Sequence, residues 1–210
     1  PGIRLVAEIK RASPSKGVMK AGLDPAALAA LYAGAGASAL SILTDATFFH
    51  GSPDDLRAGR AACGVPVLRK DFTLDPYHIW EARAMGADAI LLIARILSRR
   101  QLQDLAGLAS ELGLTALFEV HRSDELPQVL DCRPQLLGVN RRDLDTFQVS
   151  LATCENMRFE LPKGVGRIAE SGIGTREDVE RMAACGYHAG LVGETLVRSG
   201  DPAAKVRDLL

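Results

Sequence analysis

The most constraining feature of this sequence is a short pattern that recurs along the chain. A helix-like segment ends on glycine, one or two small residues follow, and a short apolar stretch begins. The pattern starts at Gly36, Gly64, Gly86, Gly113 and Gly186. Glycine adopts the left-handed backbone conformation at a helix end without a steric penalty, so the chain can turn directly into a strand. The recurrence therefore predicts alternating helices and strands, the arrangement of parallel βα units.

Eight strands are predicted from this punctuation. They cover residues 4–9, 38–43, 66–69, 88–93, 115–119, 135–139, 166–170 and 189–193. Several are almost continuously apolar, which is typical of parallel strands that are covered on both faces. Helix starts are predicted from capping residues and from proline in the first turn. These starts are Asp24-Pro25, Asp75-Pro76, Ser98 and the capping box that begins at Thr175.

Two architectures fit alternating βα units, an open doubly wound sheet and a closed barrel. A dinucleotide-binding open sheet would show GxGxxG after its first strand, whereas residues 10–15 here read KRASPS. Polar residues after many different strands instead favour a (β/α)8 TIM barrel, whose active sites lie at the C-terminal ends of the strands. No linker or low-complexity tract interrupts the 210 residues. We therefore predict a single α/β barrel domain spanning residues 1–210.

Charge and cysteine content restrict the possible partners. The formal net charge is -1, so no broad basic surface indicates nucleic acid or an anionic membrane. No apolar run reaches the length of a membrane-spanning helix. The cysteines show neither CxxC pairing nor metal-ligand spacing, which predicts reduced thiols in a cytoplasmic protein without a metal site. They are Cys63, Cys132, Cys154 and Cys185.

Charged residues stand at the ends of the first, third and fifth predicted strands. Glu8 and Lys10 share one side of the first strand and point into the barrel mouth, either as a structural ion pair or as part of a ligand site. Lys70 lies in the charged stretch LRKDF, which is either a solvated loop or part of the same site. Glu119 ends the fifth strand, where a lone carboxylate is costly to bury unless it is paired or used.

The later strands end in groups suited to anions. Asn140 and Arg142 form either a capped turn or a pair that holds a carboxylate or carbonyl. Glycine-rich turns follow the seventh strand at 171–174 and the eighth at Gly193, and such turns make the standard phosphate site of this fold. The residues alone thus predict a small phosphorylated substrate and acid–base chemistry.

Together, these stretches resemble the indole-3-glycerol-phosphate synthase family of tryptophan biosynthesis. The matching stretches are AEIKRASPSKG (7–17), LTD (43–45), FHGS (49–52), LRKDF (68–72), EVH (119–121), GVNRRDL (138–144), AESGI (169–173) and LVGE (191–194). The resemblance covers the whole chain, and the first stretch and LRKDF are highly specific. It implies a carboxy-lyase that needs no cofactor. The substrate would be 1-(2-carboxyphenylamino)-1-deoxyribulose 5-phosphate, and the products indole-3-glycerol phosphate, CO2 and water.

The resemblance also implies catalytic roles. Lys70 would be the general acid that protonates the ribulose carbonyl, and Glu119 would be the acid–base group of the later dehydration. Lys10 would be a second cation and a candidate acid for expelling water. Glu8 would hold the lysines in register. Asn140 and Ser171 would complete the catalytic set.

Substrate contacts follow from the same resemblance. Arg142 and Glu170 would bind the substrate, and Phe72 would form an apolar wall against its aromatic ring. The phosphate would be received by Ser13, Gly172, Gly193 and Glu194, the last two chiefly through backbone N–H groups.

Other expectations concern the family's usual form and the alternatives. Family members usually carry an extra N-terminal helix over the barrel mouth, and we expect this chain to lack it because it begins almost on the first strand. One alternative is a phosphoribosyl aldose–ketose isomerase, although such enzymes place Cys or Asp where Glu8 and Lys10 stand here. Another is a phosphate-binding barrel whose activity is low without the N-terminal cover. We expect a cytoplasmic enzyme that is a monomer or a weak homodimer.

Overall fold

A computed structural model describes residues 3–142 and 151–210 of the chain. The strands are β1 (Arg4–Ile9), β2 (Ala12–Ser13), β3 (Gly17–Val18), β4 (Ala39–Leu43), β5 (Val67–Lys70), β6 (Ala89–Ile93), β7 (Thr115–Val120), β8 (Leu136–Asn140), β9 (Gly166–Glu170) and β10 (Ala189–Val192). The α-helices are α1 (Pro25–Gly34), α2 (Ala46–Phe49), α3 (Pro53–Ala62), α4 (Pro76–Met85), α5 (Arg99–Glu111), α6 (Leu126–Leu130), α7 (Leu151–Met157), α8 (Arg176–Ala184), α9 (Glu194–Val197) and α10 (Pro202–Leu209). Short 3-10 turns lie at Ala94–Ile96 and Ser123–Glu125.

Eight parallel strands close into a barrel in the order β1-β10-β9-β8-β7-β6-β5-β4. The closure occurs at β1, where Ala7 pairs with Val192 on one side and with Leu40 on the other. The predicted (β/α)8 barrel is therefore confirmed, and each predicted barrel strand agrees with the structure to within one residue at either end. The antiparallel β2–β3 hairpin, which lies in the loop after β1, was not predicted.

Local signals at the helix ends explain why the chain turns where it does. The predicted starts at Asp24, Asp75, Ser98 and Thr175 are confirmed, and each side chain accepts a hydrogen bond from a backbone N–H of its helix. The predicted left-handed glycines are confirmed at Gly36, Gly86, Gly113 and Gly186. The prediction is wrong for Gly64, because extended backbone at Cys63 already ends α3 and turns the chain toward β5.

Apolar side chains pack on both faces of the barrel strands and form two layers. The outer layer lies between the strands and the surrounding helices. The inner cluster consists of Val6, Leu68, Leu91, Ile93, Leu117, Ile168, Ala189 and Leu191. Because successive side chains of a strand alternate between its two faces, the inner cluster decides which later residues also point inward. The packed interior leaves the C-terminal ends of the strands as the place for a site.

All four cysteines are free thiols, and Cys154 and Cys185 are buried. In residues 3–142 and 151–210, no helix is long and apolar enough to cross a membrane.

Candidate active site

A cavity of about 910 Å³ opens at the C-terminal ends of the barrel strands. Every residue given a role from the sequence lines it. These residues are Glu8, Lys10, Ser13, Lys70, Phe72, Glu119, Asn140, Arg142, Glu170, Ser171, Gly172, Gly193 and Glu194. The last two residues of the GVNRRDL stretch, Asp143 and Leu144, lie outside the described residues. The fold thus gathers side chains from strands that are far apart in sequence into one site.

The floor of the cavity follows from strand alternation. Two positions beyond an inward apolar residue, the next inward side chain on the same strand is charged. The pairs are Val6 with Glu8, Leu68 with Lys70, Leu117 with Glu119, and Ile168 with Glu170. The three carboxylates are almost completely buried, with 4%, 3% and 1% of their surface exposed. A charged layer therefore lies directly on the apolar layer of the barrel.

Lys70 joins two of these carboxylates. Its Nζ lies 2.5 Å from Glu119 Oε2 and 2.8 Å from Glu170 Oε2. Burial alone would lower the pKa of Lys70, but the charges of the two glutamates outweigh burial and raise the pKa above its usual value. Lys70 is therefore held as an ammonium.

The two carboxylates titrate differently, although they share one lysine. Burial would raise the pKa of Glu119, but the nearby Lys70 ammonium outweighs it and the pKa is lowered. At Glu170, burial together with repulsion from Glu119 exceeds the attraction of Lys70, and the pKa rises to about 8. One cation cannot balance two buried anions, so the arrangement favours an ionised Glu119 beside a protonated Glu170 near neutral pH.

Gly138 on β8 makes room for this convergence. It pairs in register with Glu119 on one neighbouring strand and with Ile168 on the other. A Cβ atom at this position would collide with Oε1 of Glu170. Because Glu170 occupies the space over Gly138, both carboxylates can reach Lys70 from opposite sides of β8.

The second lysine of the site has its own carboxylate. Lys10 donates a hydrogen bond to Glu8, and this pair lies against the backbone of Gly193. The alternative of a structural ion pair is thus correct in geometry, yet both side chains also line the cavity. Side-chain exposure of 18% leaves the Lys10 ammonium accessible to a ligand.

Asn140 orders the side of the cavity between β7 and β9. Its Nδ2 donates to Glu119 Oε1 at 3.2 Å, while its Oδ1 accepts from the Ser171 hydroxyl at 2.8 Å and from the backbone N–H of Arg142 at 3.0 Å. Hydrogen bonds therefore fix both the nitrogen and the oxygen of the Asn140 side-chain amide. Asn140 connects the Glu119 carboxylate to the turn that follows β9.

That turn has an unusual backbone. Ser171 and Gly172 both have positive φ, 67° and 69°. A residue other than glycine costs on the order of 1–3 kcal/mol in this region, unless its surroundings hold it there. Arg141 supplies the hold, because its buried guanidinium donates from Nε to the Ser171 carbonyl at 2.8 Å and from Nη2 as well. Arg141 was not predicted as a site residue. Alternation after Asn140 places its side chain on the face away from the cavity.

The residues predicted to receive a phosphate all line the cavity, and these are Ser13, Gly172, Gly193 and Glu194. The Glu194 carboxylate lies 3.4 Å from Lys16 Nζ and 3.3 Å from Arg198 Nε. Lys16 belongs to the loop of the β2–β3 hairpin and was not predicted as a site residue. Its ion pair with Glu194 connects that hairpin to the turn after β10.

An apolar wall closes another side. The rings of Phe49 and Phe72 are tilted against each other with centroids 6.5 Å apart, and Phe48 also lines the cavity. Phe72 was predicted for this wall, whereas the two phenylalanines of α2 were missed. Three rings at the rim form a surface against which a flat aromatic group can pack.

A buried network fixes the backbone around Lys70. Arg69 donates to Thr44 at 3.1 Å, to Glu81 at 2.6 Å and to Asp71 at 3.2 Å, and Thr44 donates to Asp71 at 2.5 Å. The alternative of a solvated loop for the LRKDF stretch is therefore wrong. The residues on both sides of Lys70 are anchored, so the lysine is held in place against the two carboxylates.

Comparison with known proteins identifies sequence relatives of this chain. A model of the family described as indole-3-glycerol phosphate synthase matches residues 1–209 of this chain. The protein named indole-3-glycerol phosphate synthase from Desulfosudis oleivorans is 46% identical over 209 residues, covering 100% of this chain and 80% of that protein.

Solved structures show the same fold at low identity. 3-Hexulose-6-phosphate synthase from Salmonella typhimurium has a TM-score of 0.76 at 14% identity, over 99% of this chain and 96% of that one. KGPDC from Streptococcus mutans has a TM-score of 0.74 at 12% identity, over 99% of this chain and 95% of that one. These two likenesses concern the barrel fold alone.

Proposed function

The chain belongs to the indole-3-glycerol phosphate synthase family, and from this premise we propose how the cavity residues carry out the reaction. As a member, it is a decarboxylating lyase of tryptophan biosynthesis that forms indole-3-glycerol phosphate. The family assignment sets aside the phosphoribosyl isomerase alternative. The observation that carries the proposed roles is the position of Lys70 between Glu119 and Glu170, in the same cavity as Lys10.

Ring closure is the first chemical step in this proposal. The aryl carbon that bears the carboxylate attacks the ribulose carbonyl carbon, a carbon–carbon bond forms, and the carbonyl oxygen gains electron density. Lys70 polarises that oxygen and donates its proton to it. Glu170, 2.8 Å from Lys70 Nζ and with a raised pKa, then returns a proton to the lysine. Glu170, which was predicted from the sequence as a substrate contact, thus also supplies a proton.

Loss of CO2 follows from the charge left on the substrate nitrogen. The bond from ring carbon to carboxylate breaks, and its electron pair flows toward the iminium and restores the aromatic ring. The remaining hydroxyl then leaves as water after protonation, and a carbon-bound proton is lost as the indole forms. Lys10 is the candidate acid for the departing water, and Glu119 is the acid–base group of this step. Glu8 holds Lys10 in register through their ion pair.

Binding is assigned to the rim. The ring of the substrate packs on the wall of Phe72 and Phe49, and Asn140, Ser171 and Arg142 orient its carboxylate and hydroxyl groups. The phosphate is received by Ser13 and by backbone N–H groups of Gly172, Gly193 and Glu194. These glycine-rich turns after the last two barrel strands occupy the standard phosphate position of the fold.

The cellular setting is part of the same proposal. A biosynthetic role, together with four free cysteines, supports a cytoplasmic location. A monomer or weak homodimer remains our prediction.

The test is fluorescence-monitored formation of the indole product from 1-(2-carboxyphenylamino)-1-deoxyribulose 5-phosphate. We expect turnover by the parent chain and a loss of at least about 1,000-fold in Lys70→Ala, the scale expected when a general acid and an electrostatic contact are lost together. Lys205→Ala is the matched control, because Lys205 pairs with Asp208 on the outer helix α10. Parent-like turnover in Lys70→Ala, or phosphate binding without turnover in the parent, would contradict the proposal.

A further inference from the structure

His121 is a buried histidine for which the proposed mechanism has no use. It ends the EVH stretch and follows β7 directly, with 6% of its surface exposed. Its Nε2 lies 3.3 Å from Glu119 Oε1. Within the described part of the chain, neither ring nitrogen makes a hydrogen bond of good geometry. A buried polar group in this state calls for an explanation, since such groups are nearly always paired.

The local backbone does not need this ring. The turn after β7 is held by Glu125, whose Oε2 accepts the backbone N–H of His121 at 2.7 Å. Any residue could supply that N–H except proline. Among the described residues, the imidazole is paired with one carboxylate oxygen, Oε1 of Glu119, which lies 3.3 Å from Nε2.

The position of the ring suits one task. Glu119 uses Oε2 to accept from Lys70 at 2.5 Å, and its Oε1 accepts from Asn140 at 3.2 Å. A donor on the His121 side of Oε1 would complete the restraint of this carboxylate. Nε2 already lies 3.3 Å from Oε1, and hydrogen bonds of catalytic groups are often loose in free enzymes and tighten with substrate.

We propose that His121 is a positioning residue that donates from Nε2 to Glu119 and so sets both the orientation and the proton affinity of this acid–base group. The inference rests on the proposed role of Glu119. His121 is not among the residues that line the cavity, so it acts only through the Glu119 carboxylate, which does line it. It also favours the ionised form of Glu119, in the same direction as Lys70.

Other charged groups around the pair enter the same balance. Glu119 faces Lys70 from β5 and Glu170 from β9, and Glu125 lies beside the backbone of His121. Lys70 and Glu170 are themselves in contact, so a change at Glu119 redistributes charge over all three. Loss of the His121 contact therefore raises the pH at which Glu119 takes up a proton.

Kinetics of a matched pair of variants test the proposal. Gln and Met are similar in length, but only Gln has an N–H that can reach Glu119. We expect His121→Met to lower kcat about 10- to 100-fold, in line with loss of a hydrogen bond to a charged group, and to leave KM within about twofold. One limb of the kcat pH profile reports the titration of Glu119 and is identified by its loss in Glu119→Gln. In His121→Met this limb should move to higher pH. His121→Gln should recover most of the activity and the profile.

A second measurement does not depend on activity. The ring nitrogens of His121 can be followed by 15N NMR in the parent chain, with its signals identified by their absence in His121→Gln. We expect a protonated Nε2 whose shift changes in Glu119→Gln. An unprotonated Nε2 whose shift is unchanged in Glu119→Gln would overturn the proposal. Equal losses of kcat in His121→Met and His121→Gln would also overturn it, as would a pH profile that does not move in His121→Met. If Glu119→Gln itself keeps parent-like turnover, the proposed role of Glu119 fails while the NMR contact still stands.

Discussion

Removing the charge of Lys70 should destabilise the protein in a way that depends on pH. In Lys70→Met the aliphatic stem remains in part, but Glu119 and Glu170 face each other in the barrel without a cation. Breaking a buried ion pair by deleting one partner typically costs about 3–5 kcal/mol, because it leaves an uncompensated buried charge. Proton uptake by the carboxyl groups neutralises their charge and reduces part of this loss of unfolding free energy.

The pH dependence has a definite sign. In the parent, the pKa of Glu119 is lowered, so this group binds no more protons folded than unfolded above about pH 5. In the variant, burial without Lys70 raises its pKa, and the folded state holds one more proton than the unfolded state. A carboxyl whose pKa is raised on folding stabilises less as pH rises. The extra destabilisation should therefore grow by up to about 1.4 kcal/mol per pH unit from about pH 5 to about pH 8.

Urea denaturation followed by circular dichroism at several pH values measures this difference in unfolding free energy. Lys205→Met is the control, since Lys205 forms a surface pair with Asp208 and should cost less than about 1 kcal/mol without a pH trend. A destabilisation of Lys70→Met that is independent of pH, or that shrinks as pH rises, would refute the assignment of Lys70 as the counter-ion of two buried carboxylates.

Three further predictions follow from the site. Gly138→Ala drives a methyl group against the Glu170 carboxylate, so we expect a loss of about 1–3 kcal/mol in urea denaturation and a fall in kcat, and unchanged values would contradict the close approach. Arg141→Leu removes the donors to the Ser171 carbonyl, so we expect weaker calorimetric binding of inorganic phosphate and a raised KM. Adding Ser171→Gly relieves the positive φ and should partly recover the phosphate binding, and unchanged phosphate binding in Arg141→Leu would contradict the role of Arg141. Because Glu170 loses its proton as pH rises through about 8, kcat/KM of the parent should decline above that pH, whereas Glu170→Gln should lack this decline, and a parent profile that stays flat would argue against proton supply by Glu170.

The sequence was most informative where the signal is local. Short apolar runs and glycine punctuation predicted the barrel strands to within a residue, and capping residues predicted the helix starts at Asp24 and Thr175. Local signals also explain the failures. Gly64 lies in the same local sequence pattern as the left-handed glycines, but the extended backbone of Cys63 already ends the preceding helix α3.

Contacts between distant strands were beyond such reasoning. Glu170 and Lys70 are 100 residues apart, and their contact depends on barrel closure and on the space over Gly138. No spacing rule contains that information, which is why Glu170 was predicted only as a substrate contact. The Lys16–Glu194 pair has the same origin, because the β2–β3 hairpin carries no strong strand pattern of its own.

In the proposed mechanism, Lys70 acts in ring closure and Glu119 acts in the later dehydration. Substrate labelled in its carboxylate allows CO2 release and indole fluorescence to be followed together in single turnovers. We predict that Lys70→Met loses both signals, and that Glu119→Gln slows indole formation by about 100-fold or more while CO2 release is slowed much less. Equal slowing of both signals in Glu119→Gln would contradict the role of Glu119 in dehydration. CO2 release at the parent rate in Lys70→Met would contradict the role of Lys70 in ring closure.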